Sequence, residues 1–223
     1  MLALFPRWYA EPQPDWPPNV FLTGFPFWEE RDVDRDTESK LESFLEAGDA
    51  PVVFTLGSSA VLDPGPFYEE SARAVRRIGC RAIFLGAPRN AANDMNRGIL
   101  MLPYAPHDRY FRAASAVVHC GGIGTTARVL RAGRPSLVVP WGYDQPDNAA
   151  RLTRMGVART VGRKWYTGRT AARQLGCLLG SQSYRCKCER LAVQIQSEDG
   201  VEAASTVIES CLREARRVAD GNR

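Results

Sequence analysis

Short apolar runs recur along the chain from position 51 onward, and a turn or a polar loop follows each of them. Runs of this length, bounded by Gly, Pro and Ser, are typical of buried β-strands. The pattern predicts strands at 51–56, 81–86, 98–104, 115–120 and 135–140, with a short sixth strand at 157–161.

Helical patterns lie between and after these runs. The clearest is at 66–78, where the apolar residues recur at helical spacing and form one inner face. The members of this face are Phe67, Ala74, Val75 and Ile78. Further helices are predicted at 37–47, 107–113, 123–132, 145–155, 169–180, 184–196 and 200–217. Short apolar strands that alternate with helices predict an α/β fold, a parallel sheet with helices on both faces.

The first fifty residues have a different character. Prolines interleaved with tryptophans predict an extended, semi-rigid segment at 11–28, and a charged stretch at 29–40 leads into the first helix. We therefore predict a linker-like segment at 1–48, one large domain at 49–217 and a short tail at 218–223.

The composition excludes several classes of protein. The chain has 223 residues, 44% hydrophobic and 24% charged, with a net charge of +4 that is spread along it, which is ordinary for a globular protein. Nucleic-acid-binding proteins concentrate Lys and Arg on one face, so no nucleic-acid partner is indicated. No apolar run reaches the roughly 20 residues of a membrane span, and residues 1–18 do not resemble a secretory signal. The six cysteines suggest free thiols in a reducing cytoplasm. We expect a cytoplasmic protein, with peripheral association with a membrane left open.

Two features resemble metal sites weakly. Cys186 and Cys188 could form half of a zinc site, but the chain has two histidines and no second suitable Cys pair. Asp32-Val33-Asp34 matches the metal-binding DxD motif of some sugar transferases. It lies in a charged stretch, however, and such stretches usually face solvent. We predict neither a metal nor a cofactor.

The stretch VVHCGGIGTTARVL carries the clearest chemistry. In an open parallel sheet, ligands lie beyond the carboxyl ends of the strands. The glycines at 121, 122 and 124 join such a strand end to a helix, and a turn of this kind exposes backbone N–H groups beside the positive end of the helix dipole. Thr125 adds a hydroxyl, and His119 can donate a hydrogen bond to a phosphate oxygen. The alternative is a tight turn with a histidine packed at the sheet edge.

The same residues also fit a second class of ligand. Gly122-x-Gly124-x-x-Ala127 matches the dinucleotide fingerprint, and Asp144, 20 residues after Gly124, could hold the ribose of NAD. That fingerprint normally opens the first strand–helix–strand unit, whereas here it opens the fourth. Asp144 could equally cap the helix that follows it.

Other loops at the same edge offer further donor-binding groups. Ser58, after the first strand, could supply a hydroxyl and an amide to phosphates. Tyr104 offers an aromatic surface on which a flat base could stack; His107 lies near it and is as readily an exposed residue at a helix start. Asp144 and Gln145 could grip vicinal hydroxyls of a sugar, or begin a capped helix with Pro146 in its first turn.

Together these loops resemble a known signature. HCGGIGTTARVLRAGRPSLVVPWGYDQPDNAARLTRMGVA, with YAPHDRYFRAASAVVHC overlapping its start, resembles the donor-binding signature of the GT-B UDP-glycosyltransferases. That group includes plant secondary-metabolite, sterol and bacterial antibiotic or rhamnolipid transferases. FTLGSSA resembles the first strand and loop of their C-terminal domain, and DWPPNVFLTGFPFW resembles the linker that enters it. The resemblance extends from about residue 10 to residue 217.

The resemblance implies a Rossmann-like C-terminal half of a GT-B fold, with 49–217 as the donor-binding domain. It also implies binding of a nucleotide diphosphate sugar, UDP-linked, for inverting, metal-independent transfer of a hexose to a hydroxyl acceptor. In this family the matching histidine contacts the diphosphate, the glycines and threonine form the phosphate turn, and the acidic–Gln pair holds the sugar. The implied donor-binding residues are Ser58, Tyr104, His107, His119, Gly121, Gly122, Gly124, Thr125, Asp144 and Gln145.

Three departures from the family pattern limit what is implied. Tyr104 stands where plant members have a tryptophan, His107 where they have a glutamine, and Ala127 where they have the glutamate that holds the ribose. Nothing in the chain corresponds to the N-terminal domain that binds the acceptor and carries the catalytic base. We therefore expect the donor half of a glycosyltransferase, either a fragment or a subunit that needs a partner acceptor domain, with a lipid, sterol or natural-product acceptor. An NAD-type module and a non-catalytic remnant or scaffold domain remain as alternatives.

Overall fold

The computed structural model describes residues 1–28, 34–57, 60–86, 98–103 and 107–221, apart from the side chains at 107, 108 and 218–221. The chain forms two compact units, one made of Met1–Glu29 with Gln194–Arg223 and the other of Glu30–Val193. The strands are β1 Leu2–Ala3, β2 Phe21–Leu22, β3 Val52–Thr55, β4 Ala82–Leu85, β5 Ile99–Leu102, β6 Ala116–His119, β7 Ser136–Val138 and β8 Ala158–Thr160. The helices are α1 Arg35–Glu46, α2 Phe67–Ile78, α3 His107–Ala113, α4 Ile123–Arg131, α5 Gln145–Met155, α6 Gly168–Leu179, α7 Gln182–Gln196 and α8 Gly200–Gly221.

The larger unit is built on a six-stranded sheet in the order β5-β4-β3-β6-β7-β8. All its neighbouring strands are parallel. The chain first adds strands outward from β3 to β5, then returns to add β6 on the other side of β3. The topological switch point therefore lies between β3 and β6, and ligands of open α/β sheets bind beyond the carboxyl ends of the strands at such a point.

Helices cover both faces of this sheet. In β3, Val52 and Phe54 join a core cluster with residues of α2 and α6. Val53, between them, joins a second cluster with residues of α1, α3 and α4. A strand that is buried on both faces has apolar residues at every position, which explains the uninterrupted apolar runs. The fold class predicted from the sequence is confirmed.

The predicted strands and helices of this unit are present, with ends shifted by a few residues, as is usual at element ends. Two short 3₁₀ turns, Ala60–Leu62 and Arg163–Trp165, were not predicted. On α2, Phe67, Ala74 and Val75 are buried as predicted, but Ile78 is only partly buried because it lies at the end of the helix.

The smaller unit joins the first residues to the last helix. β1 pairs with β2 in parallel, a pairing not predicted from the sequence. Trp8 donates its indole N–H to Glu198 at 2.8 Å, and the ring of Tyr9 meets that of Phe25 edge-on at 5.4 Å. A Cβ on Gly200 would lie 2.5 Å from the carbonyl oxygen of Phe25, so only glycine allows this approach. In the described part of the chain, no helix is both long and apolar enough to cross a membrane.

Candidate functional site

The loops that follow β3 and β6 meet at the switch point. β3 ends at Thr55 and β6 at His119, and the two strands are neighbours in the sheet. A Cβ placed on Gly57 would lie 3.3 Å from the sulfur of Cys120, so the two strand ends are in close contact. The glycine turn predicted from the sequence therefore opens at the position where this class of sheet binds its ligands.

His119 is buried and has one ring nitrogen without a partner. Its side chain has no exposed surface, and its Nδ1 accepts a hydrogen bond from the backbone N–H of Gly121 at 3.1 Å. Because Nδ1 is the acceptor, the proton of the neutral ring is on Nε2. This Nε2–H group has no hydrogen-bond partner among the described residues. Burial lowers the pKa of His119 to about 4, so the ring is neutral at pH 7.

An unpartnered buried donor is unfavourable. The Nε2–H of His119 thus marks a place where an acceptor atom of a ligand would be stabilising. Since the ring has no exposed surface, contact with a ligand requires the groups that cover it to shift.

Gly121 shapes the turn that follows. Its φ is +92°, and a Cβ would lie 2.8 Å from the side chain of Val138 and 3.2 Å from the carbonyl oxygen of Gln145. Only glycine avoids both the strained backbone and these contacts. The turn is therefore held tightly against the neighbouring strand and helix.

Gly122 and Gly124 face open space. Gly122 is the N-cap of α4, with no side-chain hydrogen bond to the helix start, and a Cβ on either glycine would have no atom of the described residues within 4 Å. The first N–H groups of a helix have no partner within the helix, so α4 offers donors and its positive dipole end to this space. Thr125, in the first turn, is partly buried.

Gln145 has a structural role that the sequence pattern did not predict. Its side chain is buried, and Oε1 accepts hydrogen bonds from the backbone N–H groups of Trp141 at 2.7 Å and Gly142 at 3.3 Å. The amide oxygen of Gln145 therefore holds the loop after β7 rather than pointing into open solvent.

Asn148 connects that loop to the glycine turn. Its Nδ2 donates to the carbonyl of Gly121 at 2.9 Å and to the carboxylate of Asp144 at 2.8 Å. Asp144 is exposed and lies at the N-cap of α5, but its side chain does not cap that helix. Sequence reasoning missed Asn148; the available signal was its position four residues after Asp144, on the same side of α5.

A second connection joins the loop after β7 to the loop after β3. The indole N–H of Trp141 donates to the carbonyl of Asp63 at 3.2 Å. Arg163 pairs with the carboxylate of Asp63 at 2.7 Å and lies over the ring of Trp141 at 5.0 Å. Between these anchored residues and α5, Tyr143 has a φ of +57° and is 94% exposed.

Several predicted residues lie outside the described part of the chain. These are Ser58, Tyr104 and the side chain of His107, whose backbone begins α3. Asp32 of the DxD sequence is also outside it, whereas Asp34 caps α1 by accepting hydrogen bonds from the N–H and the hydroxyl of Thr37. Ala127, at the position of the family's ribose-binding glutamate, is 5% exposed.

We expect Asn148→Ala to lower the free energy of unfolding by about 1–3 kcal/mol, because it leaves the buried carbonyl of Gly121 without this donor. Urea unfolding measures the change. Asp147→Ala, on the same helix, is the matched control: Asp147 is exposed and pairs at the surface with Arg151, and such pairs contribute about 1 kcal/mol or less. Equal effects of the two substitutions would contradict the assigned role of Asn148.

Comparison with known proteins agrees with this geometry. Residues 83–209 match the family model for the C-terminal domain of erythromycin biosynthesis protein CIII-like proteins. The chain belongs to this family. It is 35% identical over 201 residues to O-mycaminosyltylonolide 6-deoxyallosyltransferase of Streptomyces fradiae, and the match covers 89% of this chain but 46% of that protein. It is 34% identical over 149 residues to a sterol 3-beta-glucosyltransferase of Arabidopsis thaliana, covering 66% of this chain and 23% of that protein.

Solved structures agree with the family assignment at the level of the fold. The glycotransferase of kitacinnamycin superposes with a TM-score of 0.74 at 21% identity, covering 94% of this chain and 54% of that one. Spinosyn forosaminyltransferase superposes with a TM-score of 0.77 at 16% identity, covering 95% and 54%. The chain thus spans about half, or less, of the glycosyltransferases that it matches. The resemblance to GT-B glycosyltransferases is confirmed, and it argues against the dinucleotide-binding alternative.

Proposed function

We propose that the larger unit binds the nucleoside diphosphate sugar donor of an inverting, metal-independent hexosyltransferase. One observation carries the proposal: the unpartnered Nε2–H of buried His119 lies beside a glycine turn that opens α4 at the switch point. The ring N–H has no acceptor among the described residues, and the first N–H groups of a helix have none within the helix. A diphosphate supplies the matching acceptors.

The proposed role of these donors is to stabilise the leaving group. An acceptor hydroxyl attacks the anomeric carbon, the bond from that carbon to the diphosphate oxygen breaks, and negative charge grows on the diphosphate. Donors that are already in position stabilise such developing charge best. The N–H groups at the start of α4 are donors of this kind, and the helix dipole adds partial positive charge. His119 donates as a neutral ring once the groups that cover it have shifted. We assign the base that takes the proton of the acceptor hydroxyl to an acceptor-binding domain outside residues 1–223.

Further proposals concern the sugar and the nucleobase of the donor. Asp144 is exposed and its carboxylate accepts a hydrogen bond from Asn148, which supports the proposal that it accepts hydrogen bonds from sugar hydroxyls. The sequence resemblance suggests UDP, whereas one structural neighbour, the glycosyltransferase VinC, was solved in complex with dTDP. Because buried Ala127 offers no group to a ribose, we expect the 2′-hydroxyl to matter little, with UDP and dTDP affinities within about fivefold of each other.

The acceptor is proposed to be a hydroxyl of a sterol, a lipid or another natural product. According to their names, the relatives reported above act on O-mycaminosyltylonolide and on sterols. The domain boundaries, the cytoplasmic location and the absence of a cofactor stay predictions from the sequence.

Titration calorimetry with UDP, dTDP, UDP-glucose and NAD tests the donor site. We expect UDP and dTDP to bind, NAD not to bind, and His119→Ala to weaken UDP binding by about tenfold or more, since it removes a hydrogen bond to a charged group. Asp147→Ala, away from the turn, is the control and should bind as the wild type does. NAD binding without UDP binding would overturn the proposal. Sugar transfer by the purified chain at a substantial rate would contradict the assignment of the base to another domain.

A further inference from the structure

A second concave site lies at the opposite edge of the sheet from the glycine turn. It is a cavity of about 890 Å³, lined by residues that stand just before three adjacent strands. Ala50 lies before β3, Ser115 before β6 and Pro135 before β7. These are the amino ends of the strands, whereas the proposed donor site is at their carboxyl ends. The two sites are therefore separate, and a ligand at the amino ends does not depend on the proposed function.

Positive charge dominates the lining of this cavity. Three arginines line it: Arg112 at the end of α3, Arg134 just before β7, and Arg185 on α7. Among the described residues of the lining, the single carboxylate is that of Glu189, which pairs with Arg185 at 2.9 Å. This lining thus carries two more guanidinium groups than carboxylates.

Arg134 is fixed in place with an unsatisfied donor. One terminal nitrogen of its guanidinium donates to the backbone carbonyl of Arg112. Its Nε–H is buried and has no hydrogen-bond partner among the described residues. Burial and the nearby charge of Arg185 lower the pKa of Arg134, and the carboxylate of Glu189 offsets this only in part. A partly buried cation with an unpaired N–H next to a second cation is unfavourable unless an anion compensates it.

We propose that this cavity binds a phosphate-bearing anion, held by the guanidinium groups of Arg134, Arg185 and Arg112. Guanidinium groups match phosphate oxygens in a bidentate geometry. The hydroxyls of Ser115 and Ser181, also in the lining, add neutral donors. The volume falls within the range of roughly 300–1,000 Å³ that is usual for small-molecule sites, so it accommodates an organic phosphate or a phospholipid headgroup.

Cys186 provides a reporter at the site. It lines the cavity and its thiol is exposed, whereas exposed Cys211 lies on α8 and does not line it. Peptide mass spectrometry measures the rate at which iodoacetamide alkylates each thiol at physiological ionic strength. The probes are tripolyphosphate and, separately, phosphatidylcholine vesicles with and without phosphatidylglycerol. We expect tripolyphosphate to slow alkylation of Cys186 and to leave Cys211 unchanged. The same selective protection by phosphatidylglycerol vesicles would identify a lipid headgroup as the source of the phosphate.

Charge substitutions separate a built site from general attraction to a basic surface. Arg134→Gln and Arg185→Gln should each raise the tripolyphosphate concentration needed for protection by about tenfold. Arg185 is largely exposed, so its substitution tests the site even where Arg134→Gln reduces stability. Arg190→Gln is the matched control, since Arg190 is exposed on the same helix and outside the lining; it should change the concentration by less than about twofold.

Three results would overturn the proposal. The first is that neither tripolyphosphate nor phosphatidylglycerol vesicles protect Cys186 from alkylation. The second is equal protection of Cys186 and Cys211. The third is an effect of Arg190→Gln as large as that of Arg185→Gln.

Discussion

Gly121→Ala is expected to lower the free energy of unfolding by about 2–5 kcal/mol. The left-handed backbone at this residue costs a side-chain-bearing residue about 1–2 kcal/mol, and overpacking in a tight environment costs about 1–3 kcal/mol more. The new methyl group would lie 2.8 Å from the side chain of Val138, a residue buried in the sheet that has no room to move. Urea unfolding followed by circular dichroism measures the change.

Gly122→Ala and Gly124→Ala are the matched controls, and they also test the site. Neither methyl group would meet an atom of the described residues within 4 Å. Gly122→Ala should therefore lose no more than about 1 kcal/mol, because alanine is a poorer N-cap than glycine, and Gly124→Ala should gain up to about 1 kcal/mol of helix propensity in α4. Both methyl groups enter the space proposed for the diphosphate, so UDP binding should weaken while the protein stays folded. Wild-type stability of Gly121→Ala would contradict the geometry of the turn. Unchanged UDP binding by both controls would show that the phosphates lie elsewhere.

Lowering the pH from 7 to 4 should reduce the free energy of unfolding of the wild type by about 3 kcal/mol more than that of the His119→Gln variant. The buried ring titrates with a pKa of about 4 in the folded state, against 6.5 when it is unperturbed. Because the folded-state value is the lower one, the unfolded chain takes up the proton first as the pH falls. The stability that the neutral ring contributes is therefore complete above pH 6.5 and is lost between pH 6.5 and about 4.

Unfolding curves at a series of pH values measure this difference. Glutamine does not titrate, and the other acids and bases of the chain contribute to both proteins, so the comparison isolates His119. Saturating UDP should reduce the difference, since a bound diphosphate favours the protonated ring and raises its pKa. Parallel pH profiles for the two proteins would show that the ring is not held neutral by burial.

The sequence was most informative where burial dictates residue type. β3 to β7 were predictable because strands that are covered on both faces are mostly apolar, as in Val52–Phe54. The position of the glycine turn was predictable because Gly121 to Gly124 follow a strand and open a helix, and its role in binding stays a prediction. The sequence did not show that Gly121, unlike Gly122 and Gly124, has no room for a side chain. The residue that leaves no room there is Val138, which is distant in sequence.

Some contacts left no signal in the sequence. The amide oxygen of Gln145 accepts hydrogen bonds from backbone N–H groups three and four positions before it, in the loop after β7, and the residue pattern gave no sign of these bonds. The role of Gln145 in holding a sugar stays a prediction. The contact of Trp141 with Asp63 joins residues 78 positions apart, and the periodicity of apolar residues cannot predict such a contact. The two-residue strands β1 and β2 are too short for alternation to be recognised, and the neighbouring prolines suggest an extended segment instead.

The bond from Trp8 to Glu198 has a consequence for the timing of folding during translation. The two partners are 190 positions apart, and all six strands of the large sheet are encoded between them. At typical ribosomal speeds, Trp8 emerges about 10–40 s before Glu198. All strands of the sheet have therefore been synthesised before this bond can form. During that time the aromatic side chains around Trp8 lack their C-terminal partner. In a nascent chain, the indole of Trp8 therefore lacks this partner until Glu198 has been synthesised, long after the last strand of the sheet.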